Sequence, residues 1–305
     1  MGGAFTAVAD DASALYWNPA GQATGDYVSL VVERDGFDAV PDSADPAAAS
    51  RGNSTLVAFT LPVIGIGYYR ETRAWAGPEQ MVRAPGLRPS WTREGGSLIA
   101  DHFVVSLAQT LVEGLHVAVA LKAVRGRVGV GAVTGAAEVP DPAREPGRVL
   151  DVLSSGRGSA DTTIDADAGV MLDARRWRVG VAARNLRQPE FRAAAVAPVA
   201  LDRSVRMGVA VLATDRVTVA IDADLTTAER ADGRWRAVAG GAEAWSPARR
   251  YAVRGGVRLQ TVDQARAVGT MGVSAQVWKL LYADVHGAVG AGGRREWSLG
   301  ARVAY

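Results

Sequence analysis

The sequence predicts an all-β protein: an antiparallel transmembrane β-barrel of about fourteen strands, with a short N-terminal helical hatch in its lumen. Three observations predict it. From residue 26 onward, apolar residues recur at every second position rather than every 3.6. The segments that do so are joined by connections that alternate tight and long. Aromatic residues gather at the segment ends, down to the final Tyr305. Period two puts successive side chains on opposite faces of a strand, and roughly 9–11 tilted residues suffice to cross a bilayer.

The chain divides into a hatch over residues 1–25 and a barrel over residues 26–305. In the hatch, GGAFTAVADDASALYWNPAGQAT, Asp10 or Asp11 caps a short helix through Ala12 to Trp17. Asn18-Pro19-Ala20-Gly21 then stops it, because the residue before a proline leaves the helical region. This segment is too small to hold a core of its own, so it belongs inside, or at one end of, the barrel.

The fourteen strands fall at 26–34, 53–60, 62–71, 99–111, 114–127, 160–173, 176–186, 202–213, 216–227, 233–245, 249–260, 266–277, 280–290 and 294–305. The clearest is Val217, Val219, Ile221, Ala223 and Leu225 against Thr218, Ala220, Asp222 and Asp224. Alternation is poor over 233–245. No segment of helical period after residue 25 is long enough to compete. The connections at 61–62, 112–113, 175, 214–215, 246–248 and 279 are tight; those at 35–52, 72–98, 128–158 and 187–201 are long. In outer-membrane barrels tight turns face the periplasm and long loops face outward. An even strand count puts both ends of the barrel wall on the tight-turn side.

A soluble sheet also alternates, with its charged column turned to water. Here the apolar columns of the last four strands carry no charge, and Trp177, Trp245, Tyr251, Trp278, Trp297 and Tyr305 stand at strand ends. Both favour an apolar exterior with interfacial aromatic girdles. The polar column then lines the lumen: Lys122, Asp165, Asp167, Arg178, Arg184, Arg206, Asp222, Asp224, Arg254, Arg258, Asp284, His286, Glu296 and Arg302. Mixed signs read first as paired charges propping the barrel open, and second as a polar permeation path of weak ion selectivity.

Composition excludes much else. The net charge of +2 argues against a nucleic-acid partner. With no cysteine, there are no disulfides, thiolate metal sites or cysteine nucleophiles. No run of about 18 apolar residues provides a transmembrane helix. No signal peptide is visible, so export implies that the signal is absent from this chain. The three histidines lie in different strands, and no HExxH, Gly-x-Ser-x-Gly or P-loop occurs. Asp165/Asp167 and Asp222/Asp224 read as partners for facing arginines before they read as Ca²⁺ or acid–base pairs. No enzyme, cofactor or metal site is expected.

At Gly2 to Gly21 the residues GGAFTAVADDASALYWNPAG resemble the N-terminal signature of FadL-type outer-membrane proteins. The short branch that includes PorV, PorQ and TraF-like barrels is the most similar. The resemblance implies a fourteen-stranded barrel in the bacterial outer membrane with the N-terminal segment lodged in it. It implies passive transport of a hydrophobic small molecule of fatty-acid or hydrocarbon type, gated by the hatch. Asn18, Pro19 and Ala20 match the hatch motif, and Phe5, Leu15, Tyr16 and Trp17 would hold the ligand. In the family a kinked third strand opens a side exit. Here that strand carries Gly65 and Gly67, which either permit a kink or make room for the hatch. Trp75, Met81, Leu87 and Trp91 in the following loop would form a capture surface, or pack on one another. The alternatives are a PorV-like platform that binds a secreted or secretion-system protein, and a structural barrel without transport.

Overall fold

A computed structural model describes residues 1–40, 49–83, 85–86, 88–136, 145–154, 158–192, 198–230, 233–263 and 266–305. The hatch contains α1 (Ala14–Trp17) and a 3₁₀ turn (Pro19–Ala23). The strands that follow are β1 (Ser29–Ala39), β2 (Ala49–Thr60), β3 (Ile64–Ala76), β4 (Gln80–Val82), β5 (Ser90–Val112) and β6 (Leu115–Ala136). After α2 (Pro146–Ser154) come β7 (Ala160–Ala174), β8 (Trp177–Arg184), β9 (Glu190–Phe191), β10 (Val199–Ala200), β11 (Ser204–Thr214) and β12 (Val217–Asp224). The chain ends with β13 (Ala228–Arg230), β14 (Gly233–Trp235), β15 (Ala237–Trp245), β16 (Tyr251–Gln260), β17 (Arg266–Trp278), β18 (Leu281–Gly290) and β19 (Arg294–Ala304).

Fourteen of these close into an antiparallel barrel. β1 pairs with both β2 and β19, and β3 pairs with β5 across the place where the sheet would otherwise have an edge. Closure leaves no unpaired ladder for lipid to meet. Val28 and Tyr305 exchange backbone hydrogen bonds, so both ends of the wall lie beside the tight turns. No described helix is long and apolar enough to cross a membrane, and the crossing here is made by strands.

The columns face as the period predicts. On β12, Val219 and Ile221 are 41% and 60% exposed, while Ala220 and Asp222 between and beside them are buried. Leu30, Val32, Ile66, Phe103, Val105, Leu107, Leu121, Val273 and Leu299 join the same exterior belt. In water such a belt would far exceed the few hundred Å² of apolar patch that soluble monomers tolerate.

Four features differ from the expectations. α2 is a helix in the stretch 128–158, where none was expected; its Val149, Leu150 and Leu153 bury against Trp91, Ala76 and Ala49. Parts of the long connections are strand: β5 and β6 run for 23 and 22 residues and rise beyond the depth a bilayer needs. The segment 233–245 is divided, since Gly233–Trp235 pairs with Ala228–Arg230 and the wall strand begins at Ala237. Trp245 is no girdle residue: its indole N–H donates to Glu243 Oε1 at 2.6 Å in the lumen, and its ring meets Tyr282 edge-on.

Candidate functional site: the hatch and the cavity beside it

The hatch is built from small residues because it must thread a barrel. Ala4, Ala7, Ala9, Ala12 and Ala14 are fully buried. Asp11 Oδ1 accepts the Ser13 backbone N–H at 2.9 Å, which fixes the turn ahead of α1, so the helix itself begins at Ala14 rather than Ala12. The chain is extended at Asn18, and Pro19 opens the 3₁₀ turn. Gly21 has no substitute: a Cβ there would lie 1.9 Å from Ala9 O.

Asn18 is the central fastener. Its side-chain amide donates to Thr6 O at 3.0 Å and to Val170 O of β7 at 3.1 Å, and Oδ1 accepts the Ala20 N–H at 3.2 Å. One side chain therefore ties two turns of the hatch to each other and to the wall. Asp222 is the second fastener. Its Oδ2 accepts from the Phe5 and Thr6 N–H groups at 3.0 and 2.9 Å and from Thr6 Oγ1 at 2.7 Å. Arg206 pairs with both Asp222 and Asp224 and also donates to Gly3 O at 3.1 Å. Arg178 pairs with Asp10 at 3.1 Å, and Arg302 with Asp11 at 3.6 Å.

A third contact is aromatic. The Arg184 guanidinium lies 3.9 Å from the centroid of the Tyr16 ring, and the Tyr16 hydroxyl donates to Glu71 at 3.2 Å. Tyr16 also meets Tyr69 edge-on, and Tyr69 stacks on His102. Gln22 accepts from Ser106 Oγ at 2.7 Å.

The wall makes room with glycine. A Cβ at Gly169 of β7 would lie 2.1 Å from Asn18 Oδ1, and one at Gly180 of β8 would lie 2.4 Å from Thr6 O. Gly208 of β11 pairs with Gly180 and backs onto Ala7 and Asp222. Gly241 and Gly256 seat Met1 in the same way. Sequence reasoning missed this seat. Its signal is mid-strand glycine on the lumen column of neighbouring strands.

The hatch leaves part of the lumen open. A cavity of about 940 Å³ lies between it and the wall, bordered by residues of β1–β3, β7, β8, β11, β12 and β15–β19. Phe5, Tyr16 and Trp17 border it from the hatch, and Phe5 and Tyr16 both contact the Trp17 ring. Leu15, Asn18, Pro19 and Ala20 do not border it; they are buried between hatch and wall. The remaining border is mixed, with Val31, Phe37, Leu56 and Trp235 beside charged groups that include Arg254, Arg258, Arg294 and Arg302 and their acidic partners. The charged column is paired: Lys122 holds Asp165 and Asp167 at 2.9 and 2.6 Å, and Arg254 holds Glu243 and Asp284.

Two expected features take another form. β3 pairs with β2 and with β5 in unbroken register from end to end, so the ladder shows no bulge or gap at Gly65 or Gly67. A Cβ on Gly65 would instead lie 2.7 Å from Gln22 Oε1, so that glycine makes room for the hatch. In the expected capture loop, Trp91 is fully buried beneath α2 and Trp75 packs beside Phe191, because the stretch folds as strand. The Trp91 ring is closed to a ligand arriving from outside, whereas Trp75 is half-buried. Met81 is 45% exposed on β4, and Leu87 lies outside the described residues.

These features define a hatch-filled barrel of the FadL type in fold. The family model "F plasmid transfer operon, TraF, protein" matches residues 149–224, which fits the short branch. No curated protein sequence matches the chain. Among solved structures it is similar to the CymD monoaromatic hydrocarbon channel, at 14% identity and TM-score 0.61 over 98% of this chain and 94% of that one. It is also similar to the toluene transporter TbuX of Ralstonia pickettii, at 13% identity and TM-score 0.60 over 100% and 98%. A FadL homologue of Pseudomonas aeruginosa follows, at 12% identity and TM-score 0.57 over 99% and 96%.

Proposed function

We propose that the chain is a passive channel of the bacterial outer membrane for a hydrophobic small molecule, with residues 1–25 as its gate. The observation that carries this reading is the 940 Å³ cavity beside the hatch, with Phe5, Tyr16 and Trp17 on its border. A structural barrel would be expected to fill that volume with side chains. The acids and arginines on the border are largely paired with one another, so its charge favours neither sign of solute, and the hatch rings favour an apolar body of fatty-acid or hydrocarbon type. The likeness in fold to a monoaromatic hydrocarbon channel and a toluene transporter supports transport as the class of activity. The unbroken β3 ladder directs passage along the lumen rather than sideways. Opening then requires the hatch to leave Asp222 and Arg184.

The test is flux into vesicles that contain the purified barrel, with a labelled long-chain fatty acid, toluene and glucose as solutes. The fatty acid should enter faster than through protein-free vesicles, and glucose should not. Asp222→Asn weakens the charged hydrogen bonds to Phe5 and Thr6 and should raise the flux. Equal rates with and without protein, for the wild type and for Asp222→Asn, would refute the proposal.

A second reading, a platform for a secreted protein, is favoured by one observation. β5 and β6, braced by α2, form a tall ledge on one side of the barrel. Shortening 128–158 would then release a co-purifying soluble protein without changing flux.

A further inference from the structure

Most acidic groups in the lumen have a cation. Asp165 and Asp167 have Lys122, Asp222 and Asp224 have Arg206, Glu243 and Asp284 have Arg254, and Glu296 has Arg258 and Arg294. Glu33 and Asp35 do not: among the described residues neither has an Arg or Lys nitrogen within 4.0 Å. They are two residues apart on β1, so both face the lumen.

The neighbouring strands bring a histidine to them. Asp35 pairs with Ser298 of β19, and Ser298 pairs with His286 of β18, so the three share one rung. One ligand atom from each of Glu33, Asp35 and His286 lies within 4.8 Å of the others. The middle strand offers only Ser298 and Gly300 at this level, and Gly300 pairs with Glu33. That leaves a niche between the outer strands. Ser298 Oγ donates to Glu33 Oε1 at 2.9 Å, and Ser54 Oγ donates to Asp35 Oδ2 at 2.7 Å. Each hydroxyl orients one carboxylate and leaves its other oxygen uncommitted, as outer-shell partners do around metals. All three residues border the cavity, which gives an ion a way in.

We propose that Glu33, Asp35 and His286 bind a divalent first-row transition-metal ion. Two carboxylates this close repel one another, and a proton or a metal cation between them relieves that repulsion. An imidazole ligand selects against Ca²⁺ and Mg²⁺, which take oxygen, and favours Zn²⁺ and its neighbours. Three protein ligands leave the remaining positions to water or to a solute group in the cavity. The ion would brace β1 to β18 across β19. This site does not depend on the transport proposal, and no local motif marks it, because its ligands are some 250 residues apart in the chain.

The experiment uses the purified, tag-free barrel in detergent, stripped with chelator and titrated with Zn²⁺ by calorimetry. One Zn²⁺ should bind per chain, and excess Mg²⁺ should not displace it. His286→Gln and Glu33→Gln should each weaken Zn²⁺ binding at least about tenfold. Heat-modifiable gel migration should show both variants still folded. His116→Gln, on a histidine bonded to Thr110 instead, should bind as the wild type does. No uptake of Zn²⁺ by the wild type would overturn the proposal, and so would full binding by folded His286→Gln and Glu33→Gln.

Discussion

At the scale of single residues, Asn18 shows how a short polar side chain orders a hatch. It is fully buried, and its amide serves Thr6 O and Val170 O at once. Asn18→Ala removes both donors and leaves buried carbonyls unmet, a loss of about 1–3 kcal/mol. The urea midpoint of the refolded barrel should fall accordingly. Gly169→Ala attacks the same contact from the wall, because its Cβ would stand 2.1 Å from Asn18 Oδ1. Limited proteolysis should then cut within residues 1–25 while the rest of the barrel stays resistant. Lys122 is buried with Asp165 and Asp167, so Lys122→Met strands two carboxylates and should cost about 3–5 kcal/mol in the same urea experiment. Asn18 was legible because Asn-Pro has one local meaning. The glycines that receive the hatch were not, since nothing in a single strand says what will lie against it.

At the scale of elements, fourteen wall strands were legible, because lipid on one side and a polar lumen on the other impose period two; 233–245, where alternation is poor, is the one the structure divides. The rule loosens where a strand leaves the bilayer. The outward parts of β2, β3, β5 and β6 meet water or α2, carry mixed residues such as Arg51, Thr72 and Glu94, and read as loop. α2 was overlooked although Pro146, Val149, Leu150 and Leu153 trace a proline start and one apolar face. Nine residues among prolines and charges give a weak signal. Leu150 is fully buried there, so Leu150→Ala should cost about 2–5 kcal/mol of local packing. Faster hydrogen exchange over residues 145–154, with the wall strands unchanged, would be the sign. On the opposite face of the wall, Ile221→Arg places a charge against lipid and should cost roughly 2–4 kcal/mol, measured by unfolding from vesicles.

At the scale of the whole molecule, the barrel is an inside-out protein. Its core is a hatch held by buried polar groups, most of its inner charges are paired around a cavity, and its apolar surface is the outside. The tall wall of β5 and β6 beneath α2 makes it asymmetric, and the hatch, fastened to β7, β8, β11 and β12, shares the lumen with the cavity. That division of the lumen could not be read from the chain, because it depends on which wall the hatch chooses. The direction each column faces is the claim on which the rest stands. The natural absence of cysteine makes it directly measurable. Single cysteines at 218, 219, 220 and 221, each labelled with a small fluorophore before refolding, can be placed in vesicles of brominated lipid. Labels at 219 and 221 should be strongly quenched by the acyl chains, and labels at 218 and 220 should not. Equal quenching at all four positions, or stronger quenching at 218 and 220, would contradict the barrel described above.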